Sequence, residues 1–148
     1  MASSYRLVVF DALMLRALIL NDSKKFPDVL AAFRVAFQGR RFQILLTDGI
    51  LSEYEAESNK FPPFQVQPTL NRLSRQGRAG HVEENRLNRP NIRLRRLRRE
   101  HREFILDALA GRSNYLITNR RQWLSLSAHT NSYGLQIVSP RRFVELEG

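Results

Sequence analysis

Short β-branched and aromatic runs alternate with helical stretches along this chain, and that alternation limits its fold more than any other feature. Tyr5-Arg6-Leu7-Val8-Val9-Phe10, Phe42-Gln43-Ile44-Leu45-Leu46-Thr47, Asn114-Tyr115-Leu116-Ile117-Thr118 and Leu135-Gln136-Ile137-Val138 read as four strands. Between them the apolar spacing becomes helical. Leu13, Ala17 and Leu20 mark a helix over 12–20, and Val29, Leu30, Phe33 and Phe37 a second over 26–37, ending near Gly39. Asn21-Asp22-Ser23 separates the two as a turn. A third helix follows strand two directly, from Asp48 to Ser58, with Ile50, Leu51 and Tyr54 inward. Phe61-Pro62-Pro63-Phe64 breaks the pattern, and Pro68 to Gln76 forms a further helix before Gly77. Residues 81–91 carry no period, and Pro90 argues for loop. From Asn91 the spacing of Leu94, Leu97, His101, Phe104, Ile105 and Ala108 is helical again, closed by Gly111. Arg120 to Ser127 reads as helix, and Ser139 caps a terminal helix with Pro140 at its first position.

Strands alternating with helices imply right-handed crossovers and a parallel sheet covered on both faces. The expected fold is therefore a three-layer, Rossmann-like α/β/α sandwich. There is no internal repeat and no low-complexity linker, so residues 1–148 are expected to form one domain, long enough to bury a real core.

Charge is the next constraint. The chain carries +10, and only Lys24, Lys25 and Lys60 among its 24 basic residues are not Arg. Eight Arg and one acid, Glu100, lie between Arg86 and Arg102. An excess this local suggests a binding surface, and the planar guanidinium fork suits phosphate and stacks on bases. Nucleic acid is the expected partner; the alternative is a solvated face that pairs with acids elsewhere or with a protein.

Several classes are excluded or disfavoured. There are no cysteines, so disulfides and thiolate metal sites are impossible. The apolar stretch Ala12 to Leu20 contains Arg16 and is too short to span a bilayer. No signal peptide precedes the first strand, so a cytoplasmic protein with no membrane partner is expected. No Gly-rich loop with Gly-Lys-Ser/Thr exists, which excludes a P-loop. A receiver-like fold would want further acids beside the strand-one Asp and a Lys after a late strand, and the three lysines lie elsewhere.

In an open parallel sheet the ligand site lies outside the C-terminal strand ends. Asp11 follows strand one, Glu53 sits early in the helix after strand two, and Thr118-Asn119-Arg120 follows strand three. Glu100 and His101 precede Phe104 in the helix leading to strand three. Topology, not proximity in sequence, brings these places together. Asp11 alternatively caps the helix beginning at Ala12, and Glu53 alternatively belongs to a solvated Glu53-Glu55-Glu57 run. His101 falls on an apolar stripe, Asp107 reads as an exposed or paired acid, and Trp123 as core.

The chain resembles the PIN-domain family, which includes toxin ribonucleases of bacterial toxin–antitoxin pairs. The resemblance runs through Val8-Val9-Phe10-Asp11-Ala12, Ile50-Leu51-Ser52-Glu53-Tyr54, Phe104-Ile105-Leu106-Asp107-Ala108-Leu109-Ala110-Gly111, Asn114 to Asn119 and Tyr133 to Phe143. It implies a Mg²⁺ or Mn²⁺ site of three or four carboxylates, in which the metal activates water against an RNA phosphodiester. Asp11 matches the first acid, although Leu13 stands where the family usually has Asn, and Glu53 matches the second. His101, beside Glu100, occupies the third position and Arg120 the fourth, where a guanidinium opposes a cation.

The favoured expectation is a PIN-like RNA-binding protein with weak or lost metal-dependent cleavage. Arg93, Arg95, Arg96, Arg98, Arg99 and Arg102 would grip phosphates, and Thr118, Asn119, Arg120 and Arg121 would extend that grip to the crevice. The second expectation is an active Mg²⁺- or Mn²⁺-dependent endoribonuclease, with Asp11 and Glu53 on the metal and Glu100 as a displaced third acid, acting as a toxin. The third is a non-catalytic domain in which Leu94, Leu97 and their Arg neighbours bind an acidic, antitoxin-like partner protein or a second copy of the chain.

Overall fold

The computed structural model describes residues 5–20, 24–38, 41–60 and 66–148. Five strands form one sheet: β1 (Arg6–Phe10), β2 (Phe42–Leu46), β3 (Ala79–His81), β4 (Tyr115–Ile117) and β5 (Gln136–Val138). Every pairing is parallel, and the order is β3-β2-β1-β4-β5. Among the described residues, eight α-helices connect or follow them: α1 (Ala12–Leu20), α2 (Pro27–Phe37), α3 (Asp48–Lys60), α4 (Val66–Arg75), α5 (Arg99–Ala110), α6 (Arg121–Leu124), α7 (Ser127–Thr130) and α8 (Pro140–Glu147). This is the Rossmann-like α/β architecture that the alternation implies.

The core follows from the strand composition. Val8, Val9 and Phe10 are fully buried, as are Leu116 and Ile117, because a parallel strand under helices on both faces has no solvated side. Phe10 stacks on Phe33 of α2 with ring centroids 4.0 Å apart. Phe143 of α8 packs edge-on to Phe42 and Tyr115 at 5.5 and 5.1 Å, and α2 lies against α8. Ser139 caps α8 as its sequence implies, accepting a hydrogen bond from Arg142 N at 3.1 Å.

Three elements differ from the sequence reading. The strand β3 falls between the helix read over 68–76 and the segment 81–91 read as loop. Ala79-Gly80-His81 has no β-branched residue, and it is a strand because it extends the sheet edge, with Ala79 opposite Ile44 and His81 opposite Leu46. Gly77, at φ 72°, makes the left-handed turn from α4 that delivers it there. The helix expected from Asn91 begins only at Arg99, because Arg96 adopts φ 66° and breaks any helical run before it. Leu94 and Leu97 are nevertheless buried, so their spacing reports burial and not a helix. The helix expected over 120–127 is divided into α6 and α7. The expected turn at Asn21-Asp22-Ser23 and the break at Phe61-Pro62-Pro63-Phe64 lie outside the described residues.

Among the described residues no helix is long and apolar enough to cross a membrane.

Candidate nucleic-acid interface

The strand order reverses between β1 and β4, so the crevice of this sheet opens at their C-terminal ends. Asp11 is the first residue beyond β1 and Thr118 the first beyond β4. Asp11 is almost wholly buried. Its Oδ2 accepts two hydrogen bonds, from Thr118 Oγ1 at 2.7 Å and from Arg120 Nε at 3.0 Å. Its Oδ1 accepts from the backbone amide of Leu13 at 3.3 Å, so Asp11 also caps α1.

Arg120 is held on both sides. Its guanidinium carbon lies 5.2 Å over the ring of Trp123, and its backbone amide donates to Thr118 Oγ1 at 3.0 Å. Trp123 is core, with its indole against Phe104 and the edge of His101 at 5.1 Å. Burial, and then the charges of Arg120 and Arg98, hold His101 below the ordinary histidine range. His101 is thus a packed ring in the place of the expected third acid.

Glu53 is half-buried beside this pair. Burial first, then Glu57 and Asp11, push its carboxyl above the ordinary range, against the opposing pull of Lys60 and Arg120. The Glu53-Glu55-Glu57 run is not a uniformly solvated face, since Glu57 is buried and only Glu55 is exposed. Behind Asp11, the hydroxyl of the buried Tyr54 donates to the Phe10 carbonyl at 2.6 Å, and burial raises that phenol far above its usual range.

This donor set does not fit a hard divalent ion. The Asp11 oxygen facing the crevice already carries a hydroxyl and a guanidinium, and a metal there would have to displace both. Among the described residues no three His, Asp or Glu side chains are grouped to hold a metal. Glu100 is exposed at the start of α5, 3.8 Å from Arg98; its own backbone amide and Arg98 hold it below the ordinary carboxylate range. It shares a cleft of about 460 Å³ between α3 and α5 with Glu53, Glu84, Arg89, Arg99 and Glu103, and Asp11 does not line that cleft.

A second buried carboxylate lies at the same sheet edge. Asp107 is fully buried, not exposed, and accepts from Thr47 Oγ1 at 2.6 Å and from Arg89 Nε and Nη2 at 3.1 and 2.6 Å. Arg89 also pairs with Glu103. Glu84 closes the cluster by accepting from Gly49 N at 3.0 Å, and burial together with nearby Asp107 raises its carboxyl. The sequence carries one signal of this arrangement: Leu45-Leu46-Thr47-Asp48 and Leu116-Ile117-Thr118-Asn119 end two strands alike, and each Thr holds an Asp from elsewhere.

The arginine-rich segment runs from this cluster to α5. Leu94 and Leu97 are buried while Arg93, Arg95, Arg96, Arg98, Arg99 and Arg102 are exposed. Among the described residues, Arg98 alone of these six contacts a carboxylate. Arg89 fastens one end of the segment to α5, and Gln122 Nε2 donates to the Arg96 carbonyl near the other. Arg121 and Asn119 are exposed at the crevice, whereas Thr118 is fully buried, so its role is to hold Asp11 and not to meet a ligand. Arg89, Thr47 and Gln122 are the residues of this region that sequence reading missed, whereas Asp107, read as exposed or paired, is paired.

No model of a known protein family matches the chain, and no curated protein is significantly similar to it.

Proposed function

We propose that this chain is a PIN-like, RNA-binding protein whose metal-dependent cleavage has been lost. The observation that carries the reading is a row of exposed arginines, five of six without a carboxylate partner among the described residues, leading to a crevice whose buried acid is already neutralised by Arg120. Phosphodiesters supply the missing anions. Arg offers each a planar, bidentate fork, and releasing counterions from the strand favours association. Exchanging a carboxylate for Arg120 makes the crevice better at holding phosphate and worse at holding Mg²⁺ or Mn²⁺.

The test is RNA binding by fluorescence anisotropy across a salt series. The logarithm of affinity should fall steeply and linearly with the logarithm of salt, by about 0.7 for each phosphate neutralised on a single strand. Arg95→Gln/Arg98→Gln should reduce both affinity and slope. An affinity insensitive to salt would refute the reading.

A further inference from the structure

The opposite edge of the sheet holds a second cluster of arginines. Arg34 lies near the C-terminal end of α2, which leads to β2, and Arg72, Arg75 and Arg78 lie at the end of α4 and in the turn leading to β3. In a parallel sheet these positions fall at the N-terminal strand ends, across the molecule from Asp11 and Thr118. Two adjoining cavities of about 560 and 470 Å³ open there, sharing Gln76 and Arg78. Among the described residues neither is lined by a carboxylate, whereas five carboxylates line the cleft at the crevice edge.

Arg34, Arg72 and Arg75 are exposed and make no ion pair among the described residues. Arg72 and Arg75 are three residues apart on one helix and so share a face. Arg78 is fixed beside them: its guanidinium donates to the Phe37 carbonyl and lies 5.4 Å over the Phe37 ring. Four like charges grouped with no ion pair among the described residues repel one another. An anionic partner relieves that repulsion, and a set made of Arg alone suits phosphate.

We propose that this edge, centred on Arg34, Arg72, Arg75 and Arg78, is a second site for a phosphodiester backbone, so that one molecule holds two nucleic-acid segments at once. The second site stands on its own geometry; the bridging of two segments rests on the proposed RNA-binding role of Arg93 to Arg102. The chain then joins strands, an activity that neither surface alone provides.

The test immobilises one unstructured single-stranded RNA on beads and measures co-capture of a fluorescent copy. The wild type should capture it. Arg72→Gln/Arg75→Gln should bind a single RNA through the other surface while co-capture falls about tenfold or more, the loss expected when several phosphate contacts go. Arg95→Gln/Arg98→Gln should lose co-capture in the same way. Unchanged melting temperatures show that both variants fold. Undiminished co-capture by Arg72→Gln/Arg75→Gln overturns the second site, as does preferential occupancy of that edge by a polyglutamate peptide over RNA. Wild type that binds RNA but captures no second copy also overturns it and leaves the first surface standing. Wild type that binds no RNA at all overturns the RNA-binding reading itself.

Discussion

Arg120 approaches Asp11 with its Nε 3.0 Å from Oδ2 while its guanidinium lies 5.2 Å over Trp123, so the buried carboxylate of the crevice is paired with a cation from the chain itself. Asp107 repeats the arrangement with Arg89 and Thr47. A buried carboxylate is costly unless paired and hydrogen-bonded, and each of these two receives one hydroxyl and one guanidinium. The pairs tie strand ends to distant elements: Asp11 and Thr118 join β1 to β4, and Thr47 and Asp107 join β2 to α5. Four consequences can be measured.

Removing Arg120 leaves Asp11 buried with only neutral donors. Arg120→Ala should destabilise the fold by about 2–4 kcal/mol, near the cost of breaking a buried pair. Adding Asp11→Asn should recover part of that loss, because the unpaired charge is then gone. Urea denaturation of the single and double variants gives the coupling directly. Additive losses would show that the pair is not an energetic unit.

Gly49 is constrained by Asp107. A Cβ at position 49 would meet Asp107 Oδ2 at 2.4 Å, while that oxygen is held by Thr47 and cannot retreat freely. Gly49→Ala should cost about 1–3 kcal/mol, as overpacking does. Thermal denaturation within about 0.5 kcal/mol of wild type would contradict this, since that is the range of a neutral surface change.

His101 sets an acid limit to stability. Its folded value lies below the ordinary 6.5, so its neutral form is favoured in the folded state. The unfolded chain then takes up the proton first as pH falls. The contribution of His101 is present above 6.5 and is lost as pH falls through its folded value. His101→Gln should flatten the melting temperature profile in that window. An unchanged profile would show that the ring titrates alike in both states.

Glu147 locks the last helix. It accepts from Arg6 Nη1 and Arg41 Nη2, both at 2.7 Å, and from Tyr115 Oη at 2.6 Å. Burial alone would raise its carboxyl; Arg6 and Tyr115 overcome that and hold it below the ordinary range. Its stabilisation is thus present above 4.5, the ordinary value, and is lost as pH falls through the folded value. Glu147→Gln should lower stability at neutral pH by about 1–2 kcal/mol and narrow the gap to wild type in acid. A gap independent of pH would contradict the ionic account.

The fold was legible in the sequence because β1, β2 and β4 are dense in β-branched and aromatic residues and are buried on both faces, where composition is decisive. Ala79-Gly80-His81 was not, because tertiary pairing and not propensity makes it a strand. Leu94 and Leu97 misled for a related reason: a three-residue spacing serves a kinked loop plugged by two leucines as well as a helix. At the crevice, Arg120 was visible in the sequence as a cation just beyond a strand end. Its contact with Asp11 needed the strand order, because 109 residues separate the two. Arg89 and Asp107 were hidden in the same way, since neither a loop Arg nor a helical Asp announces burial.

The most direct test of the central claim is a calorimetric titration of Mn²⁺ into wild type and Asp11→Asn, with single-stranded RNA binding and cleavage measured on the same samples. The expected result is no saturable metal binding and no cleavage in either protein, with RNA held tightly at low salt and released as salt rises. Saturable Mn²⁺ binding and RNA cleavage in wild type, both abolished in Asp11→Asn, would contradict the account and establish a working metallonuclease.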